Sequence, residues 1–127
     1  VPQTVFHDGD PFDALVLGPA LPGGRIARGV VVGLMVMEDA GLADSKVVVS
    51  PVGASGQPLY RLTPRDEQRI GAFFERYKRH EPGASTGVPG WGSAADGLEH
   101  IRVAHAFFKR CASHAGASCT VEVAGMK

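Results

Sequence analysis

Apolar and polar positions alternate in short runs over the first third of the chain, and residues 14–17, 30–37 and 47–49 are each bounded by turn-forming residues. Gly18-Pro19 and Pro22-Gly23-Gly24 separate the first run from the second, and Gly41 precedes the third, Val47-Val48-Val49, which is wholly β-branched. The pattern predicts three strands. Residues 50–62 carry Pro51, Gly53, Gly56 and Pro58 and read as a loop from which Leu59 and Tyr60 pack down onto the core.

The period then changes from two to 3.6. Thr63-Pro64-Arg65-Asp66 offers an N-cap threonine, a proline at the first helical position and an acid three residues after the cap. Ile70, Phe73, Phe74 and Tyr77 form one apolar stripe, predicting a helix to about residue 79. Residues 81–90 read as a Gly/Pro loop. Ser93-Ala94-Ala95-Asp96 repeats the capping pattern ahead of Leu98, Ile101, His105 and Phe108, predicting a second helix that ends near residue 110. The small, weakly patterned residues 112–127 predict a disordered tail. The organisation expected is one domain over residues 1–111 followed by that tail, with no internal repeat.

Size and charge narrow the function classes. A chain of 127 residues holds one core and is too short for two ordinary domains. Thirteen basic residues balance thirteen acidic ones, so no global field draws the protein to nucleic acid or to an anionic membrane. Residues 29–37, the longest apolar run, cover about half of the roughly 20 residues that span a bilayer. Two cysteines, Cys111 and Cys119, outside any CxxC pattern, fit a reducing compartment better than a disulfide scaffold. The expectation is a soluble, cytoplasmic protein with no nucleic-acid or membrane partner. The chain opens on Val1 rather than methionine, which leads us to expect lost upstream sequence.

Three clusters carry candidate chemistry. Asp8-Gly9-Asp10-Pro11-Phe12-Asp13 places three carboxylates within six residues. A regular strand would turn Asp13 away from Asp8 and Asp10, whereas Gly9 and Pro11 permit an irregular turn that gathers them. Clustered carboxylates repel unless a cation neutralises them, and an all-oxygen ligand set selects hard ions such as Mg²⁺, Mn²⁺ or Ca²⁺. Next come Asp39, Gly41, Asp44 and Lys46, where the spacing of two puts Asp44 and Lys46 on one face of a strand entrance. Last is Tyr77-Lys78, at the end of the first predicted helix, where a hydroxyl and an ammonium reach one edge and can donate to phosphate oxygens. His7 adjoins the first cluster and reads as a solvent-exposed neighbour. The other histidines lack the spacing of a zinc site.

Taken in order, these clusters resemble family I soluble inorganic pyrophosphatases. Asp8-Gly9-Asp10-Pro11-Phe12-Asp13-Ala14 is similar to the family's signature of acid, small residue, acid, proline, apolar residue and acid. Gly33 with Asp39, Asp44 and Lys46 resembles its second segment, 73–78 its helix motif, and Gly90-Trp91 its tryptophan turn. The likeness runs from Val1 to about Arg110 and lacks the family's N-terminal segment.

The resemblance implies an α+β fold, a small twisted OB-like β-barrel incomplete at its N-terminus and flanked by two helices. It implies Mg²⁺-dependent hydrolysis of pyrophosphate to two phosphates, with several Mg²⁺ ions and Mn²⁺ as a substitute. Asp8, Asp13, Asp39 and Asp44 would hold the metals, Asp10 would accept the proton of the attacking water, and Lys46, Tyr77 and Lys78 would grip phosphate oxygens. A homo-oligomer, a hexamer, is implied as well, and the Ala-, Gly- and Arg-rich composition looks bacterial. Two departures stand out. Ala40 occupies a position that is usually acidic, and the upstream lysine, arginine, tyrosines and acids that complete the family's site have no match before Asp8. The competing expectation is therefore a truncated homologue that binds metal and phosphate with impaired turnover. Single-stranded nucleic-acid binding is the third, and lacks a basic groove with interleaved aromatics.

Overall fold

The longest apolar run becomes the strand on which the sheet is built. In the computed structural model, which describes residues 1–7, 9–78, 81, 83 and 85–113, the elements are β1 (Ala14–Val16), β2 (Gly29–Asp39), β3 (Leu42–Ala43), β4 (Lys46–Pro51), α1 (Pro64–Arg76), β5 (Thr86–Gly92) and α2 (Ala94–Ser113). β2 pairs antiparallel with β3, β4 and β5, and β1 lies parallel to β4. Among the described residues β1 pairs only with β4 and β5 only with β2, so the sheet stays open. The architecture is the α+β one expected, an OB-like sheet that does not close into a barrel, with two helices packed on it.

Several local expectations need correction. Residues 86–92 are the strand β5, not part of a loop. Glycine and proline hide it: Val88 and Pro89 together stand against Met37 at a register shift between Val36 and Glu38, and a bulge is where a strand tolerates a residue with no N–H to donate. The tryptophan turn expected at Gly90-Trp91 is therefore strand, with Trp91 opposite Met35. The second helix runs to Ser113 rather than residue 110. Cys111 is disulfide-bonded, a role not assigned to it from the sequence. Leu59 and Tyr60 are both exposed rather than packed on the core; Tyr60 donates its N–H to Ser50 Oγ at 2.9 Å and lays its ring against Gly18. The tail expected over 112–127 lies, from residue 114 on, outside the described residues.

Alternation along β2 and β4 gives the sheet two packed faces. On one, Leu34 and Val47 join Phe6, Phe12 and Ala104 in the core, with Val31, Val36, Val49 and Ile101 packed against it. The helix face that meets this sheet is centred on Gly97, Ile101 and Ala104, while Leu98, expected there, is exposed. Gly97 sets the distance of approach: a Cβ there would stand 2.8 Å from both the Gly33 carbonyl oxygen and Val31 Cγ1. On the other face, Met35, Met37 and Val48 are buried beside Lys46, which looks toward Phe74 of α1. The N-terminal residues are stitched on by Thr4, whose hydroxyl donates to the Val1 carbonyl and accepts from the Phe12 N–H. Val5 N–H also donates to the Ala104 carbonyl at 3.0 Å.

Both helices start as their sequences predict. Thr63 and Asp66 form a reciprocal capping box, and Ser93 and Asp96 repeat it. Backbone N–H donation, then the cap hydroxyl, holds the Asp66 and Asp96 carboxyls below their ordinary 3.8.

Two outcomes follow from this packing. Gly97→Ala should lower stability by about 1–2 kcal/mol, because overpacking outweighs the gain in helix propensity. Gly90→Ala, whose Cβ would enter open space, should not, and parallel urea melts check the contrast. Because their folded-state pKa values are depressed, Asp66 and Asp96 contribute stability that is present above about pH 3.8 and lost as pH falls through the lowered values. Asp66→Asn and Asp96→Asn should each flatten the acid limb of melting temperature against pH.

Candidate functional site

Strand register, more than local sequence, assembles the charged residues. β1 and β4 run parallel with Ala14 opposite Val47, and the Val47 N–H donates to the Asp13 carbonyl at 3.1 Å. That register sets Asp13 beside Lys46, the first residue of β4. Asp39 ends β2 at a two-residue hairpin turn whose Ala40 and Gly41 both have positive φ, 50° and 77°. Such a turn matches the right-handed twist of its flanking strands. Leu42 then pairs back on Asp39, and the Asp44 N–H donates to the Met37 carbonyl at 2.8 Å. Tyr77 caps the C-terminus of α1, with Lys78 next in the chain. Two bonds tie these pieces together: Ala40 N–H donates to the Ser85 carbonyl at 2.7 Å, and Thr86 Oγ1 donates to the Phe74 carbonyl at 2.7 Å.

The result is an open cavity of about 400 Å³ lined by Asp13, Asp39, Asp44, Lys46, Tyr77 and Lys78, with Ala40, Leu42 and Ala43 between them. Lys46 Nζ donates to Asp13 Oδ2 at 2.9 Å and to both oxygens of Asp44 at 3.1 Å. Its side chain is only 8% exposed, Asp44 is 20% and Asp13 is 63%. Burial pushes the Lys46 ammonium down, but the hydrogen bonds and charges of Asp13 and Asp44 outweigh it and raise the pKa above 10.5. The ammonium also lies 5.9 Å from the Phe74 ring centroid. Across the cavity, Lys78 Nζ donates to Asp39 Oδ2 at 2.5 Å, and that bond raises its pKa as well.

Six of the eight residues singled out from the sequence thus meet in one cavity. Asp10 does not line it; it is exposed, and its carbonyl accepts the Phe6 N–H at 2.9 Å in a turn that uses Gly9 at φ 84°. Asp8 lies outside the described residues. His7, read as a solvent-exposed neighbour, is half-buried, set edge-on to Phe6 with its Nε2 buried and without a hydrogen-bond partner among the described residues. Leu42, Ala43 and Phe74 were missed as contributors. The hairpin turn at Ala40-Gly41 was the available signal for the first two.

The carboxylates fit a hard divalent cation in chemistry and in aim. Lys46 Nζ stands where three oxygens of Asp13 and Asp44 converge, which is a cation's position filled by an ammonium. Among the described residues no three His, Cys, Asp or Glu side chains form a ready-made metal cluster. A larger cleft of about 650 Å³ between β1 and α1 is lined mostly by Leu15, Val16, Leu17, Ile70, Phe73 and Phe74, and brings no comparable set of charged groups together.

Because the Lys46 pKa is raised in the folded state, its pairs contribute stability that is fully present below about pH 10.5 and lost as pH rises through the raised value. Lys46→Met should lower the melting temperature at neutral pH, where Asp13 and Asp44 are left facing each other, and should lose the alkaline limb that the parent protein shows. Melting curves across that range check it.

Comparison with known proteins identifies the family. The family model described as inorganic pyrophosphatase matches residues 1–109. The inorganic pyrophosphatase of Aeropyrum pernix is 40% identical over 110 residues, covering 80% of this chain and 62% of that protein. That of Halobacterium salinarum is 38% identical over 114 residues, with the same coverage. Among solved structures, the Coxiella burnetii inorganic pyrophosphatase superposes with a TM-score of 0.75 at 34% identity, over 85% of this chain and 68% of that one. The Helicobacter pylori enzyme gives 0.76 at 28% identity, over 86% and 68%. The chain spans about 62% of the length of these curated relatives. They include archaeal as well as bacterial proteins, so composition does not fix the source. No helix among the described residues is long and apolar enough to cross a membrane. With the family model covering most of its length, the chain belongs to the inorganic pyrophosphatase family.

Proposed function

We propose that the cavity between β1, the β2–β3 hairpin and the end of α1 is a centre for Mg²⁺-dependent hydrolysis of pyrophosphate. The observation that carries this reading is the meeting of three carboxylates and two ammoniums in one open cavity of a chain from this family. Carboxylates alone would suit a bare cation and lysines alone a bare anion. Both together suit a metal-bound phosphate.

Phosphoanhydride hydrolysis asks the protein chiefly for positioning and charge neutralisation. Divalent ions, when bound, supply charge neutralisation and a water of lowered pKa. Asp13, Asp39 and Asp44, together with Asp8, would hold them. Lys46 and Lys78 would direct their ammoniums at phosphate oxygens, and the Tyr77 hydroxyl would donate beside Lys78. Asp10 would take the proton of the attacking water, an assignment that rests on the family resemblance. Mn²⁺ is a reasonable substitute, since it shares the preference for oxygen ligands. Assembly as a homo-oligomer and a cytoplasmic location have the same support.

The position of Asp10 favours a second reading, a protein that binds metal and phosphate with impaired turnover. Its side chain does not line the cavity. Phosphate release from pyrophosphate with Mg²⁺, with and without chelator, separates the two. Release that the chelator abolishes supports hydrolysis, and Mg²⁺-dependent phosphate binding without release supports the second reading.

Two substitutions refine the assignment. Asp10→Asn should cut turnover by roughly 10²–10⁴-fold, the usual contribution of a general base, with little change in Mg²⁺ affinity. Equal losses in both would make Asp10 a ligand. Asp44→Ala should instead weaken Mg²⁺ binding, and unchanged binding in calorimetry would refute its place in the metal site.

A further inference from the structure

We propose that this site is self-neutralised. Lys46 and Lys78 serve as resident counter-cations for Asp13, Asp44 and Asp39, so a divalent cation and a phosphate anion bind in mutual support by exchanging partners with these pairs. The proposal rests on the functional reading above and adds how the two ligands are coupled.

Lys46 is the centre of the arrangement. Its ammonium receives three carboxylate oxygens from two residues and its side chain is 8% exposed. A charge so enclosed is costly to leave unpaired. A divalent cation that takes Asp13 and Asp44 therefore strips Lys46 of its partners and adds like-charge repulsion beside it. An anion reaching Lys46 relieves both effects. Phosphate arriving alone meets the opposite difficulty, because Asp13 and Asp44 still face the ammonium it must contact. Each ligand alone pays for breaking the same pairs, and together they break them once. By linkage the resulting cooperativity is reciprocal.

The Lys78–Asp39 pair works in the same sense with smaller effect. Its two side chains are 30% and 23% exposed, so water can take over from a lost partner. The Phe74 ring beside Lys46 keeps the ammonium in the cavity while its partners change. This differs from a lysine that only grips phosphate, whose removal would leave metal affinity untouched while no phosphate is present.

The test is Mn²⁺ titration by calorimetry, with and without orthophosphate, on the full chain and on Lys46→Met, Lys78→Met and Arg76→Met. Arg76 is an exposed charge in the last turn of α1 and serves as the control for general field effects. Without phosphate, Lys46→Met should tighten Mn²⁺ binding roughly three- to tenfold, Lys78→Met by less, and Arg76→Met not measurably. Orthophosphate should tighten Mn²⁺ binding to the parent chain, and that enhancement should shrink in Lys46→Met. Unchanged or weaker Mn²⁺ binding in both lysine variants would overturn the proposal, as would an equal gain in Arg76→Met. Should Lys46→Met fail its thermal melt, the more exposed Lys78→Met decides alone by the same criterion. If no form bound Mn²⁺ at all, the functional reading itself would fall, an outcome distinct from binding that is merely insensitive to the lysines.

Discussion

The parallel pairing of β1 with β4 fixes where Asp13 stands, and most of the site depends on that one register. A parallel ladder with Ala14 against Val47 leaves the residue before β1 beside the residue that opens β4. Lys46 is thereby given a carboxylate that is 33 positions away in sequence, while Asp44 comes from two residues back along the chain, ahead of β4. Sliding the pairing by one residue would turn Asp13 to the other face, because side chains alternate with a period of two. Lys46 would then hold a buried ammonium with half its partners.

The same sheet shows how irregularities, not regular strands, shape the cavity. At the bulge between Val31 and Gly33, Val32 is the extra residue, which lets β2 stay paired with β4 on both sides of the bend. Gly33 lies directly beyond it, where its carbonyl meets Gly97 of α2 and its missing side chain leaves room for Leu62. The second bulge, at Val88 and Pro89 opposite Met37, lets β5 run on beside β2 to Thr86, whose hydroxyl fastens the end of α1. Tyr77 and Lys78 follow from that fastening. The helix delivers its terminal residues to the cavity because its last turn is tied to the strand that comes next.

Much of this was legible in the residues. The three apolar runs became β1, β2 and β4 to within two residues at each end, and both helix starts followed their capping patterns, since these signals are local. β5 was hidden because its glycines and Pro89 carry turn chemistry, and only the partner strand β2 makes sense of them. The α2 stripe was misplaced by one residue for a related reason. A glycine does not register as apolar, yet Gly97 is a point of close helix–sheet approach. The spacing of Asp44 and Lys46 correctly predicted a shared face, whereas the pairing of Lys46 with Asp13 and of Lys78 with Asp39 depends on the tertiary fold and left no local trace.

A chain with no net charge has here concentrated five of its charges in one cavity, and the order in which they neutralise one another explains what the folded chain achieves before any ligand arrives. Asp13 and Asp44, which converge on one point, would oppose folding if they faced only each other. Two lysines resolve the conflict, one enclosed by the sheet and Phe74 and the other swinging from the end of a helix. The acids and lysines that line the cavity thus neutralise one another in the folded chain. Asp10 stands apart from this economy. It is placed on an exposed turn and does not line the cavity. The cavity is thus built into the sheet's register, whereas the place of Asp10 depends on the turn around Gly9.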